Sequence, residues 1–239
     1  MLIDTSYDFR TDAGGRDPDQ HSPTLRRYHK FLWSKPLPDA RSFALSDSTP
    51  GAYLHHRSDA GEFWLASDSV MQTFTRWTVA QPLVAKFPAD QIKWFQTITY
   101  TIGGMVLFPG DRREGRMTIN GARGFSRAIA DRMDLTLECI RRHYAGLPSP
   151  LADTLARYSD FFALFGSLQG YVEFFLLQDL MNADQSSVAF FAPFDDFKTP
   201  SVPRDAETYS EFMSRSIAFV EARNRRIADW ERAHASVKE

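Results

Sequence analysis

The chain has 239 residues, with 28 Lys and Arg against 30 Asp and Glu and a formal net charge of −2. That balance excludes a global basic field for nucleic acid or an anionic membrane, so an anion site must be a local cluster. Hydrophobic residues at 43% exclude a disordered chain, and the single cysteine, Cys139, excludes an intrachain disulfide and a multi-cysteine zinc site. No apolar run reaches the roughly 18 residues of a membrane span, and MLIDTSYDFR lacks the basic-then-apolar start of a signal peptide. The expectation is a cytoplasmic protein with no membrane partner.

Residues 1–20 are polar and read as an arm. Within it Asp12, Asp17, Asp19 and His21 could hold a metal or form an acid–base pair. The stretch lacks the ligand alternation and downstream glutamate of a calcium loop, and no H-E-x-x-H accompanies it, so no metal site is assigned. Ser22-Pro23 then reads as an N-cap followed by proline in the first turn. Leu25, Tyr28 and Leu32 recur at helical spacing, His29 and Trp33 flank them, and Pro36 and Pro38 stop the element. His29 is expected to be a boundary histidine, with an acid–base role as the sharper alternative.

Over 41–66 the period shortens to SFALS, AYLHH and EFWLAS, separated by D-S-T-P-G and D-A-G, which predicts a small antiparallel meander. Asp68-Ser69 reads as the cap of a short helix through Trp77. Residues 89–96 are weakly helical, and TITYTIGGMVLF (97–108) is β-rich. FPGDRREGRMTINGARGF (108–125) carries Arg112, Arg113, Arg116 and Arg123 among four glycines. Asn120 reads as an N-cap, which puts Arg123 in the first turn of the next helix, where a cation is unfavourable unless an anion joins it. An exposed hairpin tip is the alternative for Arg112, Arg113 and Arg116.

Four helical segments are predicted, at about 121–144, 150–165, 167–181 and 205–234. Arg132 falls on the apolar flank of the first, together with Phe125 and Cys139. Arg223 and Asn224 interrupt the inward stripe of the last, formed by Tyr209, Phe212, Met213, Val220 and Ile227. A buried arginine must be paired or line a cavity, and Glu173, Gln178 and Asp179 of the third segment are the expected partners. The fold class is α+β, a small N-terminal antiparallel sheet packed on a C-terminal bundle of about four helices. It forms one domain over 1–239, with a β-rich part to residue 120 and a helical part after it.

SPTLRRYHKFLWSKPLP (22–38) and TINGARGFSRAIADRMDLTLECIRRHYAG (118–146) resemble an uncharacterised bacterial family known only as a domain of unknown function. The resemblance continues through FFALFGSLQGYVEFFLLQDL (161–180) to RNRRI near the C-terminus. It implies a bacterial cytoplasmic protein and carries no activity.

The leading functional reading is an arginine-lined site for a small anionic ligand, phosphate-containing or nucleotide, with unknown cofactor needs. Arg112, Arg116 and Arg123, with Asn120, would neutralise charge. Arg132, Arg223 and Asn224 would orient the ligand, and His21, His29 or Glu173 would move protons. No Walker or G-x-G-x-x-G motif supports a standard nucleotide fold. The alternatives are an interaction module, self-associating or docking a protein through FFAPFDDF (190–197), and a toxin-like enzyme acting on nucleic acid.

Overall fold

In the computed structural model, which describes residues 2–48 and 53–235, the first helices begin at their caps. Asp17 caps α1 (Pro18–His21) and Ser22 caps α2 (Pro23–Trp33), each with proline in the first turn, where no N–H is missed. Ser22 Oγ accepts the Leu25 N–H at 3.1 Å. The arm before α1 is pinned to distant chain: the Ile3 N–H donates to the Glu231 carboxylate at 2.8 Å and the Phe9 N–H to the Tyr100 carbonyl at 3.1 Å.

Two small antiparallel sheets follow. β1 (Lys35–Pro36) pairs with β2 (Ser42–Phe43). β3 (Leu54–Ser58), β4 (Gly61–Ser69) and β5 (Met105–Pro109) form a meander in that order. The expected turn at 47–51 lies partly outside the described residues. Asp68-Ser69 does not cap a helix: both residues end β4, opposite Val106 and Met105 of β5. β5 is buried at every position, so sheet pairing and burial override the local capping signal. The stretch 97–108 is only half strand. It closes α4 (Ala89–Thr99), which follows α3 (Gln81–Val84), then makes a 3₁₀ turn at Ile102–Gly104 before β5.

The fold is α+β as expected, but its helical part is not a bundle of four long helices. The predicted 121–144 helix is two, α5 (Ile119–Phe125) and α6 (Met133–Tyr144), because Ala130 and Asp131 adopt left-handed φ of 49° and 56°. Phe125 therefore leaves the apolar stripe and is 79% exposed. The second segment divides into α7 (Ala152–Ala156) and α8 (Ser159–Ala163), and the third shortens to α9 (Leu168–Phe174). A stretch apolar all round cannot bury every ring from one straight cylinder. The breaks let Phe161, Phe165, Phe174 and Phe175 meet edge-on or tilted, with centroids 4.9–5.3 Å apart along the chain of contacts. Only α10 (Ala206–Ala235) runs long, as the sequence predicts. A single buried cluster draws on both parts of the chain, from Phe9 and Leu65 to Phe212 and Ile227.

Candidate functional site

Of the arginines singled out by sequence, Arg123, Arg132 and Arg223 are spent on the fold. β3 covers one edge of β4 only as far as Leu65. Since the Trp64 carbonyl faces β5, taking the Gly110 N–H at 2.7 Å, alternation turns the Ser67 and Ser69 carbonyls to the uncovered edge. α5 closes that edge. Asn120 Nδ2 donates to the Ser67 carbonyl at 3.1 Å and Arg123 to the Ser69 carbonyl at 3.1 Å. Arg123 also pairs with Asp68 and donates to Thr136 Oγ1 at 2.8 Å and the Asp131 carbonyl at 3.0 Å. The N-cap of α5 is Thr118, not Asn120, so Arg123 lies in the last turn, fully buried, and does not wait for an anion.

Arg132 and Arg223 lie elsewhere and are also bonded within the fold, although the buried Arg223 Nε has no partner among the described residues. Arg132 is itself the N-cap residue of α6, bonded to Asp134 at 2.6 Å and to the Ser201 carbonyl at 3.1 Å. Arg223 pairs with no carboxylate among the described residues. It donates to the carbonyls of Gly103, Met105 and Phe175 at 2.9, 2.6 and 3.0 Å, and burial pushes its pKa down to about 9. Asn224 beside it accepts the Gly103 N–H at 2.7 Å and donates to Thr101 Oγ1 at 2.9 Å. A Cβ on Gly103 would sit 2.6 Å from Asn224 Oδ1, which is why a glycine stands there. The two α10 residues thus tie α10 to the turn that feeds β5. Glu173 is exposed and bonded to Gln169, and Asp179 pairs with Arg226 at 2.9 Å rather than with Arg223. Arg116 is exposed on the 110–118 loop.

α1 packs over the uncovered end of β4. Between α1, β4 and residues 110–120 opens a cleft of about 750 Å³. Its walls carry Asp17, Asp19, Asp68, Asp111, Arg112 and Asn120, with the rings of Tyr53 and Trp64 beside them. Of the nine buried side-chain polar atoms without a hydrogen-bond partner among the described residues, three line this cleft: Asp19 Oδ1, Asp111 Oδ1 and Asn120 Oδ1. Acceptors left bare out of water are costly, and here the three residues that bear them line one cavity.

Burial pushes the Asp19 carboxyl up to about 8, with the Asp68 and Asp17 charges adding to it and the Ser67 hydroxyl and Arg123 opposing. Asp68 is raised by burial to about 6, against the pull of Arg123. Behind them stands His29. Trp33 Nε1, which can only donate, gives its hydrogen to His29 Nδ1 at 2.9 Å. The imidazole therefore carries its proton on Nε2 and presents it to Ser67 Oγ at 3.1 Å. Burial and the neighbouring Arg223 push the His29 pKa down to about 3, so the ring stays neutral. His29 is thus no acid–base group, and it cannot take a proton from Ser67 while Nδ1 is occupied. Its effect is to fix the Ser67 hydroxyl.

His21 is half-buried at the end of α1 and lines neither this cleft nor the groove on the helix's other side. Among the described residues no three His, Cys, Asp or Glu side chains group as metal ligands. Asp12 instead accepts from Ser22 Oγ and the Thr24 N–H. Cys139 is buried and its thiol is pushed up to about 12, so it is no nucleophile. Sequence reading missed Ser67, Asp68 and Asp111. Ser67 closes the predicted strand run EFWLAS without being given a role, and Asp68 reads as a helix cap, although the alternation of Phe63, Leu65 and Ser67 continues through β4.

Fold and site together define an α+β protein with a carboxylate-lined cleft beside a three-stranded meander. The chain belongs to a family of unknown function, DUF6994, whose profile matches residues 3–227. No curated protein and no solved structure matches it. No helix among the described residues is long and apolar enough to cross a membrane.

Proposed function

We propose that the protein is an acid–base enzyme whose proton donor is Asp19 and whose substrate presents a hydroxyl-rich ring to the carboxylate cleft. One observation carries this reading: Asp19, Asp111 and Asn120, each with a buried acceptor oxygen that has no hydrogen-bond partner among the described residues, line a single cavity. A ligand rich in O–H or N–H donors satisfies them, and the faces of Trp64 and Tyr53 suit a ring laid flat. A carboxyl raised to about 8 holds its proton at neutral pH, while Asp111, facing Arg113 Nε at 3.3 Å through its other oxygen, supplies the complementary carboxylate. Such a pair needs no metal to cleave a glycosidic or N-glycosidic bond: the acid protonates the leaving atom and the carboxylate activates water. Arg112 at the rim is the residue through which the expected arginine site meets this cleft.

Carbon-detected carboxyl NMR, assigned by Asp19→Asn, tests the acid, and a panel of aryl glycosides and nucleosides tests the chemistry. The expected result is an Asp19 titration well above the usual aspartate range, with turnover lost in Asp19→Asn and binding kept. An Asp19 signal titrating near 4, or full turnover in the variant, ends this reading. The docking alternative has less support, because Phe191 is buried and Phe190 stacks on Phe194 at 4.2 Å.

A further inference from the structure

We propose that the groove across α1 from the carboxylate cleft is a phosphate-ester site, in which Arg10, Arg16 and Arg76 hold the phosphate of a ring-bearing small molecule. The groove encloses about 780 Å³, and Asp17 lines both it and the carboxylate cleft, so a single helical turn separates the two. That volume falls in the range of small-molecule sites, roughly 300–1,000 Å³.

Two of the three arginines differ from the buried ones in what they leave unused, while Arg10, already paired with Asp8 through Nε and Nη2, has only Nη1 without a bond among the described residues. Arg10 is fixed in place: it bonds Asp8 at 2.9 Å and Thr97 Oγ1 at 3.0 Å, and its guanidinium lies 5.1 Å from the centre of the Tyr100 ring. Arg16 and Arg76 are exposed and make no ion pair with a carboxylate among the described residues, yet both line the groove. Asp17, the acid on the shared wall, turns one oxygen to the Asp19 N–H as the cap of α1. Two guanidinium groups without an ion pair among the described residues, both on the walls of one concavity, favour an anion there. Their donors suit a phosphate with three free oxygens better than a carboxylate with two. Thr75, bonded to Gln96 Nε2 at 3.1 Å, and Gln72 line the same walls with neutral polar groups. Trp77 and Tyr100 supply ring faces for the rest of the ligand.

The anion site stands without any catalytic role. Its assignment to the substrate of the neighbouring cleft rests on the acid–base reading, under which one molecule would lay its ring beside Asp19 and its phosphate beside the arginines. Nucleoside monophosphates and sugar phosphates share this chemistry.

Calorimetric titration at low salt with inorganic phosphate, ribose 5-phosphate and adenosine monophosphate tests the site, and the two esters separate sugar from base. The expected result is saturable binding of at least one ester, tenfold or more tighter than ribose or adenosine. An Arg16→Ala, Arg76→Ala double variant should lose at least tenfold with its melting temperature unchanged, and Asp17→Asn should bind more tightly than the native chain. Binding kept in Asp19→Asn while turnover is lost supports both sites. Binding kept while Asp19 titrates normally removes the acid and leaves the phosphate site standing. No binding of either ester, or equal binding by the double variant, overturns it. So does tight, steeply salt-dependent binding of a single-stranded oligonucleotide without ester binding, which would replace the small molecule by nucleic acid.

Discussion

Two groups of arginines divide the molecule. Arg123, Arg132 and Arg223, in the helical half, are 0–3% exposed and bonded to carbonyls or carboxylates. Arg16 and Arg76, in the N-terminal half, are exposed and unpaired among the described residues. A buried guanidinium finds its partners within the fold, so it has little left for a ligand. A surface guanidinium at a groove pays no such desolvation cost and keeps its donors. Misplacement on an apolar stripe therefore marks an arginine as structural, and function is to be sought among those that packing ignores.

The sharpest way to break this contrast is to remove one arginine of each kind. Arg123→Ala leaves the Asp68 carboxylate without its partner and exposes two carbonyls to an emptied core. A loss of about 3–5 kcal/mol is expected, read as a melting temperature lower by roughly 6–20 °C for a chain of this size. A drop of only a degree or two would show that the Arg123 network is dispensable.

The next effect separates the carboxylates from both arginine groups. Asp19 and Asp68 have folded pKa values of about 8 and about 6, above the ordinary aspartate value. Between about pH 4 and pH 8 the native state thus binds more protons than the unfolded chain, and stability falls as pH rises. Thermal unfolding should show this decline, and Asp19→Asn, which mimics the protonated acid, should flatten most of it. A melting temperature that instead rises across the same window would put the protons elsewhere.

The smallest effect is the counterpart of the first. Arg16→Ala and Arg76→Ala should each change stability by no more than about 0.5 kcal/mol, as exposed side chains without partners do. A larger loss on chemical denaturation would mean that these arginines belong with the buried set.

Much of the local architecture was legible in the chain. Ser22-Pro23 announced α2, and the strand periods announced the pair β3 and β4, although the third strand of the meander is the distant β5 and the SFALS run pairs with β1 instead. The stripe of α10 announced both its length and the oddity of Arg223 and Asn224. The candidate site was not legible in the same way. Asp68-Ser69 carries a sound capping signal, and only the burial of β5 against β4 turns it into a strand end. Asp19 reads as one acid in a polar arm, and only the packing of α1 against β4 takes its oxygen out of water. Arg123 looked like a cation at the wrong end of a helix because its cap was placed two residues late.

The sequence by itself determined which segments could be helix or strand and which polar residues would lie against apolar ones, because those follow from caps, periods and the cost of burying charge. Tertiary structure alone decided where each of those charges found its partner. Hydrogen-bond satisfaction depends on groups distant along the chain, as when Arg123 reaches Asp68 or Arg223 reaches Gly103. A single residue's neighbours in sequence say nothing of such partners, and so the buried arginines that stood out in the chain, Arg123, Arg132 and Arg223, proved to be mortar, while the groove and the cleft lie where the fold leaves donors and acceptors over.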